Sequence, residues 1–301
     1  MFLAYLVICL VGGTAFMAIT LGMQAGFTPF MFAGLRFFSA GLILLMYLRL
    51  FRRWQALDIN HYTAVLRIGL FTTTLRFAAL YWAQQFIPSG QAALLAATYP
   101  LMIILVHSFD RRHLPPNHQW IGLVGGFSGV MLLLQAPLQA PLSAIEWAGS
   151  LAVLGGELFN AVGTITARRI LSKGIPVLQM NALQMLLGSL GLLAFGVFGE
   201  GLPSLAVWSA GLWPFLWLTL FGSVLGTTLF YWLVKKMGPV IPSTWSYAAP
   251  VIALLAGFLF LGEIFTSGQL MGAALIIIFV FAAHSGPEIL SLLLKRRRAA
   301  S

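Results

Sequence analysis

Charge is scarce in this chain. Of 301 residues, 17 are Lys or Arg and 7 are Asp or Glu, 8% in all, where a soluble domain carries about a quarter. So few charges cannot wet the surface of a globule this size. A 60% share of hydrophobic residues and a mean hydropathy of +0.94 ask for an apolar solvent instead. Cysteine is scarcer still: Cys9 stands alone, which excludes an internal disulfide and a cysteine-based metal site. Also lacking are a Gly-rich phosphate loop ending in Lys-Ser/Thr, a His-Glu-x-x-His helix and a nucleophile elbow. The histidines at 61, 107, 113, 118 and 284 are scattered, and only Asp110 stands near His113 and His118. No metal and no cofactor are expected. The net charge of +10 first suggests a nucleic-acid partner, but that needs a basic patch on a soluble fold, and none can form.

What the chain does have is apolar runs. Ten are read, near 2–22, 29–48, 62–84, 90–109, 119–136, 147–167, 176–197, 210–234, 240–261 and 267–284. Each is long enough for a helix to cross about 30 Å of hydrocarbon. The breaks carry turn chemistry, as at Arg52-Arg53, Ile87-Pro88-Ser89-Gly90, Gly199-Glu200-Gly201 and Gly238-Pro239. The runs are continuous, not alternating, so a β-barrel is not expected. The first has no basic leader and no small-residue cleavage site and is read as a span.

The cations then set the orientation. With the N-terminus inside, Arg49, Arg52, Arg53, Arg111, Arg112, Arg168, Arg169, Lys173, Lys235, Lys236 and Lys295 to Arg298 all fall in cytoplasmic segments. They are 14 of the 17, and the opposite loops hold none. That alternation is what the positive-inside rule expects for an even span count. The fold expected is an all-α polytopic protein of the cytoplasmic (inner) membrane, with ten transmembrane helices and both termini in the cytoplasm.

Sliding the chain by 150 residues pairs Gly13-Thr14 with Gly163-Thr164, Gly41-Leu42 with Gly191-Leu192, and Tyr81-Trp82 with Tyr231-Trp232. It also pairs Pro100 with Pro250 and Gln119 with Gln269. Five spans per half is an odd number, so the second half would enter the membrane in the opposite sense. The expected division is a first five-helix repeat at 1–142, an inverted second one at 143–289, and a basic tail at 290–301. Inverted repeats are a transporter architecture that holds substrate near the midplane.

The chain resembles the drug/metabolite transporter superfamily, in its ten-helix EamA-type branch. The resemblance rests on Gly12-Gly13-Thr14-Ala15-Phe16 in the first span and Leu35-Arg36-Phe37-Phe38 in the second. To these it adds Tyr99-Pro100-Leu101 in the fourth, and Ala249-Pro250 followed by Leu261-Gly262-Glu263 in the ninth. Two positions depart from the pattern: Gly12 stands where the family usually has Trp, and His113 stands where a first-half counterpart of Glu263 would be. The resemblance implies efflux of small metabolites, often amino acids.

The charges left inside the spans are the candidate functional groups. Glu157 lies about ten residues into the sixth span, roughly 15 Å deep, where a carboxylate costs about 2.5–3.5 kcal/mol and so faces a cavity or a partner. Asn160 and Thr164 follow on the same helix face. Two readings stay open for Glu157: it exchanges protons or binds a substrate ammonium, or it closes a structural ion pair. Arg36 and Arg76 could clamp a substrate carboxylate. Arg36 could equally pair with Glu157 or with backbone carbonyls, and the resemblance favours that scaffold role. Arg67, near a span end, reads as a snorkelling anchor. Tyr81-Trp82 and Tyr231-Trp232 read as interfacial belt residues. Tyr99, Trp245 and Tyr247 stand deeper, before the kinking prolines Pro100 and Pro250, and are candidates for cavity lining with Thr14. Glu263 reads as a cap, and Lys295 to Arg298 as a topology anchor.

The expected function is a secondary transporter exporting a small polar metabolite, such as an amino acid, by proton antiport with alternating access. Its partners would be a small-molecule substrate and the lipid bilayer, with no nucleic acid; a homodimer is compatible. The alternative is a polytopic enzyme acting on lipid-linked substrates, for which Arg52, Asp58 and His61 form the only cluster at a membrane face. A channel or receptor is a third class.

Overall fold

The computed structural model describes residues 1–87, 89–111, 117–133, 143–252, 267–268, 271–272 and 274–279. All regular structure among these residues is helical. In chain order the helices are α1 (Phe2–Gln24), α2 (Pro29–Leu50), α3 (Ile59–Ala83), α4 (Ser89–Ala96) and α5 (Tyr99–Arg111). They continue with α6 (Asn117–Leu133), α7 (Ala144–Ser172), α8 (Val177–Gly199), α9 (Leu205–Met237) and α10 (Val240–Ser243), and residues 245–252 are helical too. Six of them, α1, α2, α3, α7, α8 and α9, are long and apolar enough to cross a membrane. They coincide with the first, second, third, sixth, seventh and eighth expected spans. Phe198 and Leu205 are about 90% bare on their outer faces, as lipid-facing residues are. Pro88, His113, Glu263, His284 and the Lys295–Arg298 run lie outside the described residues.

Local chemistry sets the helix ends. Ser143 and Glu146 form a reciprocal capping box at the start of α7. Asp58 accepts from the His61 amide (2.9 Å) at the start of α3. His61 Nδ1 also lies 2.6 Å from Asp58 Oδ1, so the pair considered for lipid-linked chemistry is engaged in capping. The N-terminus of α2 is capped from far along the chain: Glu200 accepts from the amides of Phe30 (3.2 Å) and Met31 (2.9 Å). A carboxylate there meets unpaired N–H groups and the positive helix end.

That cap is one of two clamps on the α2–α8 pair, the most extensive helix contact among the described residues. At the other end Gln179 accepts from the Gln55 amide (3.0 Å) and donates to its carbonyl (2.7 Å). Between the clamps, Gly34 and Gly41 of α2 lie against Leu193 and Leu186 of α8, the small-residue packing that membrane helices use.

Two helices change pitch partway, which hydropathy did not foresee. Gly69–Leu75 within α3 and Trp217–Thr227 within α9 are π-helical, with Thr227 Oγ1 donating to the Gly222 carbonyl five residues back (3.2 Å). Moving Gly69–Leu75 by 150 residues lays it on 219–225, inside the second segment. In α3 the wide turn brings Gly69 onto the backbone of α8. A Cβ there would stand 2.5 Å from the Gln184 carbonyl oxygen, so only glycine fits. Thr74 Oγ1 then donates to the Gly188 carbonyl (2.6 Å).

The expected single run at 90–109 is divided. It forms α4 and α5 with a turn at 97–98, and Pro100 lies in the first turn of α5. Proline cannot donate to the carbonyl four residues back and its ring crowds it, whereas a first turn tolerates both defects. In the turn before it, the Leu95 carbonyl accepts from both the Thr98 amide (3.1 Å) and the Thr98 hydroxyl (2.7 Å). In the ninth run the turn falls at Thr244, and Pro250 lies within the following helical residues 245–252.

Candidate functional site

The polar interior is built on facing sides of α2, α3, α7, α8 and α9. Spacings of three and four residues along α7 stack Glu157, Asn160 and Thr164 on one buried face. Glu157 is 1% exposed. Its Oε1 lies 3.1 Å from Arg76 Nε of α3, and its Oε2 accepts from Asn160 Nδ2 (3.0 Å). Thr164 shares a 2.8 Å hydrogen bond with the Tyr99 hydroxyl.

Arg36 of α2 is 4% exposed and follows a different logic. Its Nε donates to Ser223 Oγ and its Nη1 to the Tyr81 hydroxyl, each at 2.9 Å. Among the described residues, Arg36 forms no ion pair with a carboxylate. Its guanidinium carbon lies 4.6 Å from the Phe37 ring centre and 5.4 Å from that of Phe77, and Arg76 lies 4.6 Å from the Phe77 ring on its own account. Cation–π contacts offset part of a buried charge but do not neutralise it.

A cavity of about 120 Å³ lies among these groups, room for roughly four water molecules at about 30 Å³ each. Arg36, Arg76, Tyr99, Asn160 and Gln184 supply its polar wall, and Phe16, Phe37, Phe77, Phe230 and Trp245 its aromatic wall. With Glu157 paired to Arg76, the charge left without a carboxylate on this wall, among the described residues, is that of Arg36. Such a chamber can hold a small solute with one acidic group and an apolar part.

Of the residues singled out from sequence, Arg36, Arg76, Tyr99, Asn160 and Trp245 line the cavity. Glu157 and Thr164 stand directly behind, each bonded to a lining residue. Thr14 accepts instead from Trp217 Nε1 (3.2 Å), and Tyr247 packs with Ala97, Ile104 and Ile276 in a separate apolar cluster. The Trp missing at Gly12 is made good from the other half: the Trp245 ring occupies the place a side chain on Gly12 would take.

Two expectations are corrected. Tyr81 and Tyr231 are not belt residues; both are buried, and their hydroxyls bond Arg36 (2.9 Å) and Thr72 (3.3 Å). Their faces turn inward, and a buried phenol needs a partner. Among the described residues Arg36 bonds Ser223 and Tyr81 and pairs with neither Glu157 nor a backbone carbonyl; Glu157 is held by Arg76 instead. The sequence reading also passed over an uncharged set. Thr73 donates to Gln184 Oε1 (2.7 Å), Thr72 lies 3.1 Å from the same oxygen, and Gln184 Nε2 donates to Asn181 Oδ1 (2.9 Å). The Thr72-Thr73-Thr74 run, and the Asn181–Gln184 pair at a spacing of three, were the signals available.

A likeness to known proteins agrees with this chamber of membrane-length helices. The family model described as the EamA-like transporter family matches residues 1–135 and again 147–283. The uncharacterized inner membrane transporter YedA of Escherichia coli (strain K12) is 28% identical over 292 residues, covering 95% of this chain and 91% of that protein. Protein PecM of Dickeya dadantii (strain 3937) is 30% identical over 234 residues, covering 77% and 74%. The uncharacterized transporter YoaV of Bacillus subtilis (strain 168) is 26% identical over 279 residues, covering 91% and 93%. A solved crystal structure shares the fold with a TM-score of 0.75 at 18% identity, covering 93% of this chain and 95% of that one. The chain belongs to the EamA-like transporter family and is a multi-pass membrane protein.

Proposed function

We propose that this protein is a secondary transporter of the cytoplasmic membrane that exports a small amino-acid-like metabolite by alternating access, in exchange for protons. The observation that carries the substrate reading is Arg36, a buried guanidinium on the cavity wall that, among the described residues, is bonded only to neutral hydroxyls. A buried cation left in that condition draws an anion, and a carboxylate meets a guanidinium in bidentate geometry. The aromatic wall suits an apolar side chain. Arg76 screens Glu157 from the cavity, so a substrate ammonium reaches that carboxylate by displacing Arg76. A proton on Glu157 excludes the ammonium, and this mutual exclusion is the condition for exchange. Asn160 holds Glu157, Thr164 fixes the Tyr99 ring, and Pro100 sets the turn between α4 and α5. Trp245 closes the wall beside Gly12, and Pro250 is a hinge in the helix that carries Trp245. Thr14 and Tyr247 position α9 and the fourth span from outside the cavity.

Ten spans with cytoplasmic termini, arranged as two inverted five-helix repeats, belong to the same proposal. In support, the two π-helical segments share the 150-residue register, and the family model matches once in each half.

The test is counterflow in liposomes with three forms of one solute: the amino acid, the amine without its carboxylate, and the acid without its amine. The amino acid is expected to exchange, and a pH gradient to drive it. The amine is expected not to exchange. Equal counterflow of amine and amino acid, or counterflow unchanged in Arg36→Gln, would overturn the reading.

A further inference from the structure

The central cavity has a neighbour. A crevice of about 640 Å³ lies between α1, α2, α8 and α9, lined by Leu48, Arg53, Gln55, Leu178, Thr228 and Trp232 among others. On α9 the lining changes between consecutive residues, Thr227 facing the cavity and Thr228 the crevice. What separates them is a hydrogen-bonded ladder. Thr73 donates to Gln184 (2.7 Å), Gln184 to Asn181 (2.9 Å), and Asn181 Nδ2 to Thr228 Oγ1 (2.9 Å). Tyr231 closes the side by donating to Thr72 (3.3 Å). Asn181 and Gln184 are at most 1% exposed, and Asn181 lines neither space.

We infer that the Asn181–Thr228 hydrogen bond is the latch of an inner gate, and that the crevice is the vestibule through which a small polar solute passes between the cytoplasm and the cavity. This rests on the transporter reading above. It also rests on the placement of Arg53 and Pro176, which border the crevice from segments that carry cations and hence face the cytoplasm. Structural fastening of α2 to α8 is already supplied by Glu200 and by the Gln55–Gln179 pair. Asn181–Thr228 instead joins α8 to α9, across the seam between the two spaces. A neutral amide–hydroxyl bond suits a gate. It closes with about 1 kcal/mol net, so it opens without stranding a charge, as separating Arg76 from Glu157 would. The ladder also offers polar partners to a solute crossing the layer.

The experiment uses the full chain in inverted membrane vesicles, with Cys9→Ser and a reporter Thr227→Cys on the cavity wall. A membrane-impermeant maleimide applied from the cytoplasmic face labels the reporter. Thr228→Val, which keeps the shape and removes the hydroxyl, is expected to raise the labelling rate about five- to tenfold, the population shift from losing one such bond. Asn181→Ala does the same from the opposite side of the bond. An Asn181→Cys/Thr228→Cys pair, oxidised, is expected to stop labelling, with reductant restoring it. Unchanged labelling in both single variants, or acceleration only from the external face in right-side-out vesicles, overturns the latch. Labelling needs no substrate, so a latch that behaves as stated in a protein showing no counterflow would sink the transport reading and leave the gate.

Discussion

Arg36 and Arg76 approach the same phenyl ring from two different helices. Their guanidinium carbons lie 5.4 Å and 4.6 Å from the centre of Phe77, and both line one cavity. Arg76 has a carboxylate at 3.1 Å, whereas Arg36 has a serine and a tyrosine at 2.9 Å. The difference separates a charge that the fold has compensated from one that it has only oriented. Ser223 and Tyr81 hold the fork of Arg36 in a fixed plane at little gain in neutrality, the preorganisation that the proposed solute site requires.

Removing the compensation from the compensated side should cost the most. Glu157→Gln strands Arg76 beside a neutral amide, and a loss of about 3–5 kcal/mol is expected for breaking a buried pair. Thermal melts in detergent measure it, and Arg76→Gln added to Glu157→Gln should recover much of the loss. Equal melting of the single variant and the parent would erase the distinction between the arginines. Arg36→Gln should behave oppositely, with stability within about 1 kcal/mol of the parent because no carboxylate is stranded. Its solute affinity should fall about 10- to 100-fold, the range for losing hydrogen bonds to a charged group. Titration of solute-induced thermal stabilisation reads both quantities in one experiment. The smallest effect belongs to Gly222→Ala. A Cβ there would stand 2.9 Å from Arg36 Nη2, so the fork must shift while Arg76 is untouched. A change in affinity of a few-fold, with the melting point of the ion pair intact, would assign that change to Arg36 alone.

The helices and the inward charges were legible from hydropathy, because a carboxylate at mid-depth has few ways to be stable and Glu157 met one of them. Which arginine would meet it was not legible. Arg36 and Arg76 sit at similar depth, and the choice depends on how α3 is rotated against α7. Tyr81 and Tyr231 were misjudged for a related reason, since position along a helix indicates depth but not facing. Thr72, Gln184 and Asn181 escaped notice because uncharged polar residues barely lower a hydropathy average, yet they make the longest side-chain ladder at the cavity. The place of Trp245 before Pro250 marks it as lining, but its fit over Gly12 joins residues more than 200 positions apart, which no local pattern carries.

The π-helical stretch at Gly69–Leu75 has a consequence for counting. It holds a surplus residue within an otherwise regular helix, so all that follows in α3 is turned by about 100° relative to a straight continuation. Arg76, Phe77 and Tyr81 all lie beyond it. Deleting one residue from the stretch would leave composition, length class and hydropathy almost unchanged. It would nonetheless swing Arg76 off Glu157 and Tyr81 off Arg36 together. The phase of one helix, set by a single extra residue, therefore decides which arginine meets the carboxylate and which is held by hydroxyls.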